Sequence, residues 1–301
     1  RRFALKCILP TSGCKRISEE IRLLRSLSKA RGIAPLLRAF RYQDQVVLVL
    51  PYIRHTEFRS FFSTCDVQEI QYYMFALFSA LESVHKLGIL HRDVKPTNFL
   101  YDTSTHRGFL VDFGLAQIAP RKEGPRTAGQ RQMRLTGSTP VSSAGHHGYP
   151  ISDARPAIRA ARAGTRGFRP PEVLIKVVHQ TIAVDIWAAG VVLLCFLSGR
   201  YPFFNANTDD ASLLEIAQIV GRNELTRFAQ NYGRTFHTNI PMRNEPKQWS
   251  RLCKQLNPNR AHIFTPEAFD LLQCALTVDP AKRITAAEAL QHPFLRDVTP
   301  P

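Results

Sequence analysis

From Val184 to Ser198 the chain is apolar almost all the way round a helix, and a helix without a polar face has to be enclosed. The run is shorter than the roughly 20 residues that a bilayer crossing requires, so enclosure by the protein's own elements is the expectation. Surrounding such a helix takes a large folded body. A chain of 301 residues with 44% hydrophobic content can supply one, in one or two structural units, which excludes disorder throughout.

Residues 15 to 29 place Ile17, Ile21, Leu24 and Leu27 near helical spacing with charges between them, which predicts a helix with one buried stripe. Val46 to Leu50 is a continuous apolar run closed by Pro51 and reads as a buried strand. From Glu69 to Lys86, Ile70, Met74, Leu77, Phe78, Leu81 and His85 recur at steps of three and four, with Gly88 as the helix stop. Residues Arg121 to about Ala163 differ: Gly, Ser, Thr, Pro, Arg and Ala dominate and no period is sustained, which reads as a loop insertion. Helical patterning resumes from Gly164 to Asp297. The chain opens directly on the strand-like Phe3-Ala4-Leu5-Lys6, so the natural amino terminus is expected upstream.

Forty Lys and Arg against 24 Asp and Glu give a net charge of +16, which draws nucleic acid, phosphate or acidic protein, or is simply a solvated surface. Nine of the basic residues fall from Pro120 through Arg166, beside only Glu123 and Asp153. No nucleic-acid motif accompanies them, and direct nucleic-acid binding stays open. Cys7, Cys14, Cys65, Cys195, Cys253 and Cys274 show neither Cys-x-x-Cys spacing nor clustered histidines, and read as reduced thiols of an intracellular protein.

The densest polar signal is His91-Arg92-Asp93-Val94-Lys95-Pro96-Thr97-Asn98, followed 14 residues after Asn98 by Asp112-Phe113-Gly114. In these residues the sequence resembles the eukaryotic protein-kinase family, whose catalytic loop and metal-binding triplet take this form. The resemblance implies an α+β, bilobal fold. An incomplete small β lobe over 1–50 lacks the glycine-rich loop, and a mainly helical large lobe over 51–297 carries the insertion at 118–163. ATP and Mg²⁺ are the implied cofactors. Phosphoryl transfer needs positioning and charge neutralisation more than covalent participation by the protein. On this resemblance Asp93 accepts the substrate hydroxyl proton, Asn98 and Asp112 are hard oxygen ligands for Mg²⁺, and Lys95 holds the γ-phosphate as charge develops. Lysine at that place goes with serine/threonine kinases, and Thr165 matches the threonine that bonds toward the catalytic aspartate.

Upstream, Phe3-Ala4-Leu5-Lys6 looks like the family's Val-Ala-Ile-Lys strand. Lys6 is then expected to pair with nucleotide phosphates and with a helix glutamate, Glu20, with Glu19 as the alternative. Leu48 to Ile53 is similar to the hinge between lobes, with Leu50 as gatekeeper and Pro51 and Ile53 among the residues offering backbone groups to adenine; Leu100 joins the nucleotide-binding set. Downstream, Gly167-Phe168-Arg169-Pro170-Pro171-Glu172 resembles the end of the activation segment, with Glu172 expected to pair with Arg283, and Asp185 with the buried helix whose aspartate braces the catalytic loop. In the family, the stretch holding Arg166 and Arg169 lines the pocket for the residue after the phosphoacceptor, and guanidinium groups there predict a preference for Asp, Glu or a phosphorylated residue.

Residues 89–101, 111–117, 164–174 and 197–203 are most similar to the cell division cycle seven kinases, which also carry an insertion where Gln117 to Arg162 stand. That resemblance implies a nuclear serine/threonine kinase with a separate regulatory activator subunit, acting on the MCM helicase at the initiation of DNA replication. Casein-kinase-like kinases share several motifs and are the nearest alternative; a pseudokinase that keeps the fold as a binding module is another. Without a glycine-rich loop the chain as given is expected to bind ATP poorly.

Overall fold

The computed structural model describes residues 2–9, 12–119 and 163–299. The insertion expected at 118–163 therefore falls almost wholly outside the described residues.

The first part of the chain runs β1 (Phe3–Ile8), α1 (Cys14–Ser26), β2 (Arg38–Tyr42) and β3 (Gln45–Pro51). The strands form an antiparallel sheet in the order β1-β3-β2. Lys6 and Ala39 both stand opposite Leu48, so the three share one face of the sheet. Helix α1 turns its own stripe of Glu20, Leu23 and Leu24 inward, with Leu27 just beyond its end. Ile17 and Ile21, expected in that stripe with Leu24 and Leu27, lie at its half-buried edge.

The larger, helical lobe follows: α2 (Phe58–Phe61), α3 (Val67–His85), the short strands β4 (Ile89–Leu90), β5 (Phe99–Asp102), β6 (Arg107–Leu110) and β7 (Gln117–Ile118), then α4 (Pro171–Leu174), α5 (Ala183–Ser198), α6 (Asp209–Val220), α7 (Arg222–Asn231), α8 (Trp249–Leu256), α9 (Pro266–Ala275) and α10 (Ala286–Leu290). Asp66 caps α3 by accepting from the Glu69 amide, which fixes the helix start two residues before the periodicity alone suggested. All 16 residues of α5 are buried, as its lack of a polar face requires, and Gly199 ends it in the left-handed conformation at φ 67°. Gly190 lets α9 approach: a Cβ there would stand 2.9 Å from the Ala275 Cβ. One continuous apolar cluster joins Leu24 and Leu48 of the small lobe to Trp187 and Phe196 of α5. The catalytic-loop sequence 91–98 is strung between β4 and β5, so two short β pairs seated on that core hold both its ends. Among the described residues no helix is long and apolar enough to cross a membrane, and the six cysteines are free thiols.

Candidate active site

Three charged side chains, from β1, α1 and the turn after β6, meet on the inner face of the small sheet. Lys6 Nζ on β1 donates to Glu20 Oε1 of α1 and to Asp112 Oδ1, each at 2.6 Å. Burial works to lower the Lys6 pKa, but the two carboxylates, Asp112 first, outweigh it and raise the ammonium above its ordinary range. Burial likewise pushes the Asp112 carboxyl up, and the Lys6 ammonium more than reverses this, so Asp112 titrates below the usual carboxylate range. The choice between the two glutamates is settled by the turn of α1: Glu20 faces in beside Leu23 and Leu24, while Glu19 pairs with Arg22 at the surface.

Asp93 sits in the second cluster, buried and surrounded by donors. Its Oδ1 accepts from the Thr165 amide at 2.8 Å and the Thr165 hydroxyl at 2.7 Å. Its Oδ2 accepts from Asn98 Nδ2 at 2.9 Å and Lys95 Nζ at 2.8 Å. Lys95 Nζ also lies 2.7 Å from Thr165 Oγ1. Burial raises the Asp93 pKa, but the Lys95 and Thr165 bonds outweigh it and hold the carboxyl below its ordinary 3.8. Asn98 spends its amide nitrogen on Asp93, on the carboxylate and again on the backbone carbonyl, which leaves Oδ1 for a metal. An amide oxygen and an ionised, half-exposed Asp112 carboxylate are the hard oxygen donors that suit Mg²⁺.

The loop between these clusters is held from below by α5. Asp185, 1% exposed, accepts from the amides of His91 at 2.8 Å and Arg92 at 2.7 Å, and His85 Nε2 of α3 lies 3.0 Å from its carboxylate. Arg92 and Asp112 adopt left-handed conformations at φ 68° and 64°, a backbone geometry that non-glycine residues tolerate only where surrounding contacts impose it. Phe113 packs edge-on to His91 with ring centres 4.8 Å apart, tying the Asp112 turn to the catalytic loop. At the end of β3, Pro51 has no N–H and the Tyr52 amide is used by the Arg2 carbonyl, so of the hinge residues 51–53 Ile53 is the one with an amide to offer adenine. Leu50 and Leu100 are half-buried.

Residues 1–295 match the protein kinase domain family. The chain belongs to the protein kinase family. This kinase is 41% identical over 302 residues to the probable cell division control protein 7 homolog 1 of Encephalitozoon cuniculi, across 99% of this chain and 86% of that protein. It is 40% identical over 307 residues to the cell cycle serine/threonine-protein kinase hsk1 of Schizosaccharomyces pombe, across 97% of this chain and 61% of that protein. It is 38% identical over 311 residues to the cell cycle protein kinase spo4 of the same yeast, across 97% and 72%. The four stretches likened to cell division cycle seven kinases thus pointed to the right branch, that of serine/threonine kinases of the cell cycle. Kinase membership implies use of ATP, typically with Mg²⁺.

The two arginines expected to line the pocket after the phosphoacceptor are not equivalent. Arg169 donates to the Gly164 carbonyl at 2.8 Å and pairs with Asp209 of α6 at 2.7 Å, so it braces the loop against the lobe. Arg166 is exposed and donates to the Asn207 carbonyl at the lobe surface. The substrate-charge reading therefore narrows to Arg166.

Three residues contribute in ways to which the sequence reading assigned no role. Gly114 is wedged into the first cluster: a Cβ there would stand 3.2 Å from Asp112 Oδ1, 3.4 Å from Glu20 Oε2 and 3.5 Å from Lys6 Nζ. Gly164, at φ 104°, leaves no room for a Cβ, which would meet the Arg92 carbonyl at 2.5 Å. His85 looked like one more member of an apolar helical stripe, and only its donor position opposite Asp185 reveals it. The two-glutamate choice has a direct test. Glu20→Gln is expected to lower kcat/KM for ATP about tenfold or more, the worth of one charge-assisted bond of about 1.5–3 kcal/mol, while Glu19→Gln leaves it unchanged. Equal effects of the two substitutions would contradict the assignment.

Proposed function

We propose that this kinase transfers the γ-phosphoryl group of Mg²⁺-bound ATP to serine or threonine hydroxyls of nuclear proteins, together with an activator subunit, and that MCM helicase subunits at replication origins are its substrates. The observation that carries the chemistry is the Asp93 carboxylate, ionised and gripped by Lys95 and Thr165. Asp93 orients the incoming hydroxyl and takes its proton. Lys95, 2.8 Å from that carboxylate, follows the charge onto the transferring group. Asn98 and Asp112 would hold the Mg²⁺, which supplies charge neutralisation at the phosphates when bound. Lys6, positioned by Glu20, would hold the phosphates from the small-lobe side, with Leu50, Pro51, Ile53 and Leu100 around adenine. The cell-cycle names of the relatives support the biological assignment.

Incubating the full-length kinase and its activator with labelled ATP is expected to place label on serine or threonine of MCM subunits and to require both activator and Mg²⁺. Labelling of unrelated proteins at the same rate, or labelling on tyrosine, would overturn the substrate assignment. Arg166 adds a finer expectation: peptides with Asp, Ala or Lys after the acceptor serine should rank in that order by kcat/KM, and Arg166→Ala should flatten the ranking. Equal rates for the Asp and Ala peptides in the parent enzyme would remove the role of Arg166.

A further inference from the structure

Arg16 stands in the first turn of α1, one turn before Glu20, and its Nε donates to the Gly114 carbonyl at 2.7 Å. On the other side of the same residue, the Gly114 amide donates to Asp112 Oδ1 at 3.2 Å, the oxygen that also receives Lys6 Nζ. Gly114 is thus held through both its polar backbone groups, in a space where a Cβ would press on Asp112 and touch Glu20 and Lys6. The residue two places earlier, Asp112, is in the left-handed conformation at φ 64°, a region uncommon for non-glycine residues. The Lys6 bond and the Gly114 amide hold the Asp112 side chain. Phe113 packs on His91 and β7 pairs with β4, and between these two attachments Arg16 fixes the Gly114 carbonyl to α1.

We propose that Arg16 is a positioning residue for phosphoryl transfer: by fixing the Gly114 carbonyl to α1 it keeps Asp112 in its left-handed conformation with the carboxylate turned to the metal position. This rests on the reading of Asp112 as a Mg²⁺ ligand. Two links of different kinds then join α1 to the active site, the charge pair Lys6–Glu20 and the backbone clasp Arg16–Gly114. A displacement of α1 acts on the metal ligand through the clasp even where Lys6 is still paired. Arg16 is exposed, so its replacement removes the clasp without opening the core.

Hydrogen exchange of the full-length protein, measured without nucleotide, reads the clasp directly. Arg16→Gln is expected to speed exchange across 112–118 several-fold, leaving α5 and the melting temperature unchanged. In the activated enzyme the same variant should lower kcat about five- to tenfold and raise the half-saturating Mg²⁺ concentration, with KM for the peptide unchanged; the range corresponds to about 1 kcal/mol, the net worth of one ordinary hydrogen bond at an exposed site. Arg16→Lys, which keeps a cation able to reach the carbonyl, should recover part of both effects. Unchanged exchange across 112–118 in Arg16→Gln, or equal losses in the Gln and Lys variants, would overturn the proposal. Asp112→Asn serves as the control for the underlying reading: an unaltered Mg²⁺ dependence there would remove the metal role of Asp112, while the exchange data would still judge Arg16.

Discussion

Asp93→Asn is expected to lower kcat at saturating ATP by about 10²–10⁴-fold, the usual contribution of a positioned general base. The amide is the same size as the carboxylate, so the loop should keep its shape; what changes is the chemistry of the two oxygens. Four donors converge on them, the Thr165 amide and hydroxyl on Oδ1 and the Asn98 amide and Lys95 ammonium on Oδ2. An NH₂ group in place of either oxygen would face donors, and no basic lone pair would remain for the substrate proton. The pH dependence follows from the same contacts. Burial raises the Asp93 pKa and the Lys95 and Thr165 bonds outweigh it, leaving it below 3.8, so the group stays ionised well under neutral pH. No acid limb from Asp93 should therefore appear in kcat/KM between pH 7 and about pH 5, given the ordinary carboxylate range. Near-parental label incorporation by Asp93→Asn would refute the assignment of the base.

The second large effect concerns stability. Arg283, with its side chain fully buried, holds the Glu172 carboxylate through two parallel bonds of 2.8 and 3.0 Å. It also donates to the carbonyls of Ala183, Thr277 and Val278 and lies 5.2 Å from the centre of the Trp187 ring. One residue thus joins α4, the start of α5 and the turn after α9. Arg283→Ala strands a buried carboxylate and several carbonyls at once, and breaking such a pair from one side costs about 3–5 kcal/mol. At about 2–4 °C per kcal/mol for a chain of this size class, the melting temperature should fall by about 10 °C. Glu172→Ala should cost less, because Arg283 keeps its three carbonyl acceptors. Replacing both, Glu172→Met with Arg283→Leu, should recover part of the loss, since an apolar pair leaves no unpaired charge. A shift of under about 2 °C for Arg283→Ala, less than the effect of 1 kcal/mol, would show that the bridge contributes little.

What could be read from the chain alone were features whose cause is local. Helix α5 was legible because a run with no polar face can only be buried, and the phosphoryl-transfer site because Asp93, Lys95 and Asn98 sit within one short loop and Asp112-Phe113-Gly114 follows at a fixed distance. Both demands are met inside a few consecutive residues. The choice between Glu19 and Glu20 was not of this kind. The stripe Ile17, Ile21, Leu24 and Leu27 sets the helix and its general inward side, but the rotation that brings Glu20 rather than Glu19 to Lys6 depends on how α1 packs against the sheet.

The same limit applies wherever two residues far apart in sequence meet. Arg169 with Asp209, 40 residues apart, Arg16 with Gly114, 98 apart, and His85 with Asp185, 100 apart, leave no periodicity to read. Arg169 looked like a substrate contact because its own stretch faces the substrate in the family; its partner on α6 makes it a brace. His85 fitted an apolar stripe because a buried imidazole and a buried leucine occupy the same helical positions. Sequence by itself determined the buried helix α5, the long helix α3, the family and the residues proposed to react, since propensity, periodicity and motif spacing act along the chain. Only the tertiary structure decided which of several eligible charges is buried beside Lys6, which arginine is held and which exposed, and what clasps Asp112, because those outcomes depend on packing distances between elements that no local pattern encodes.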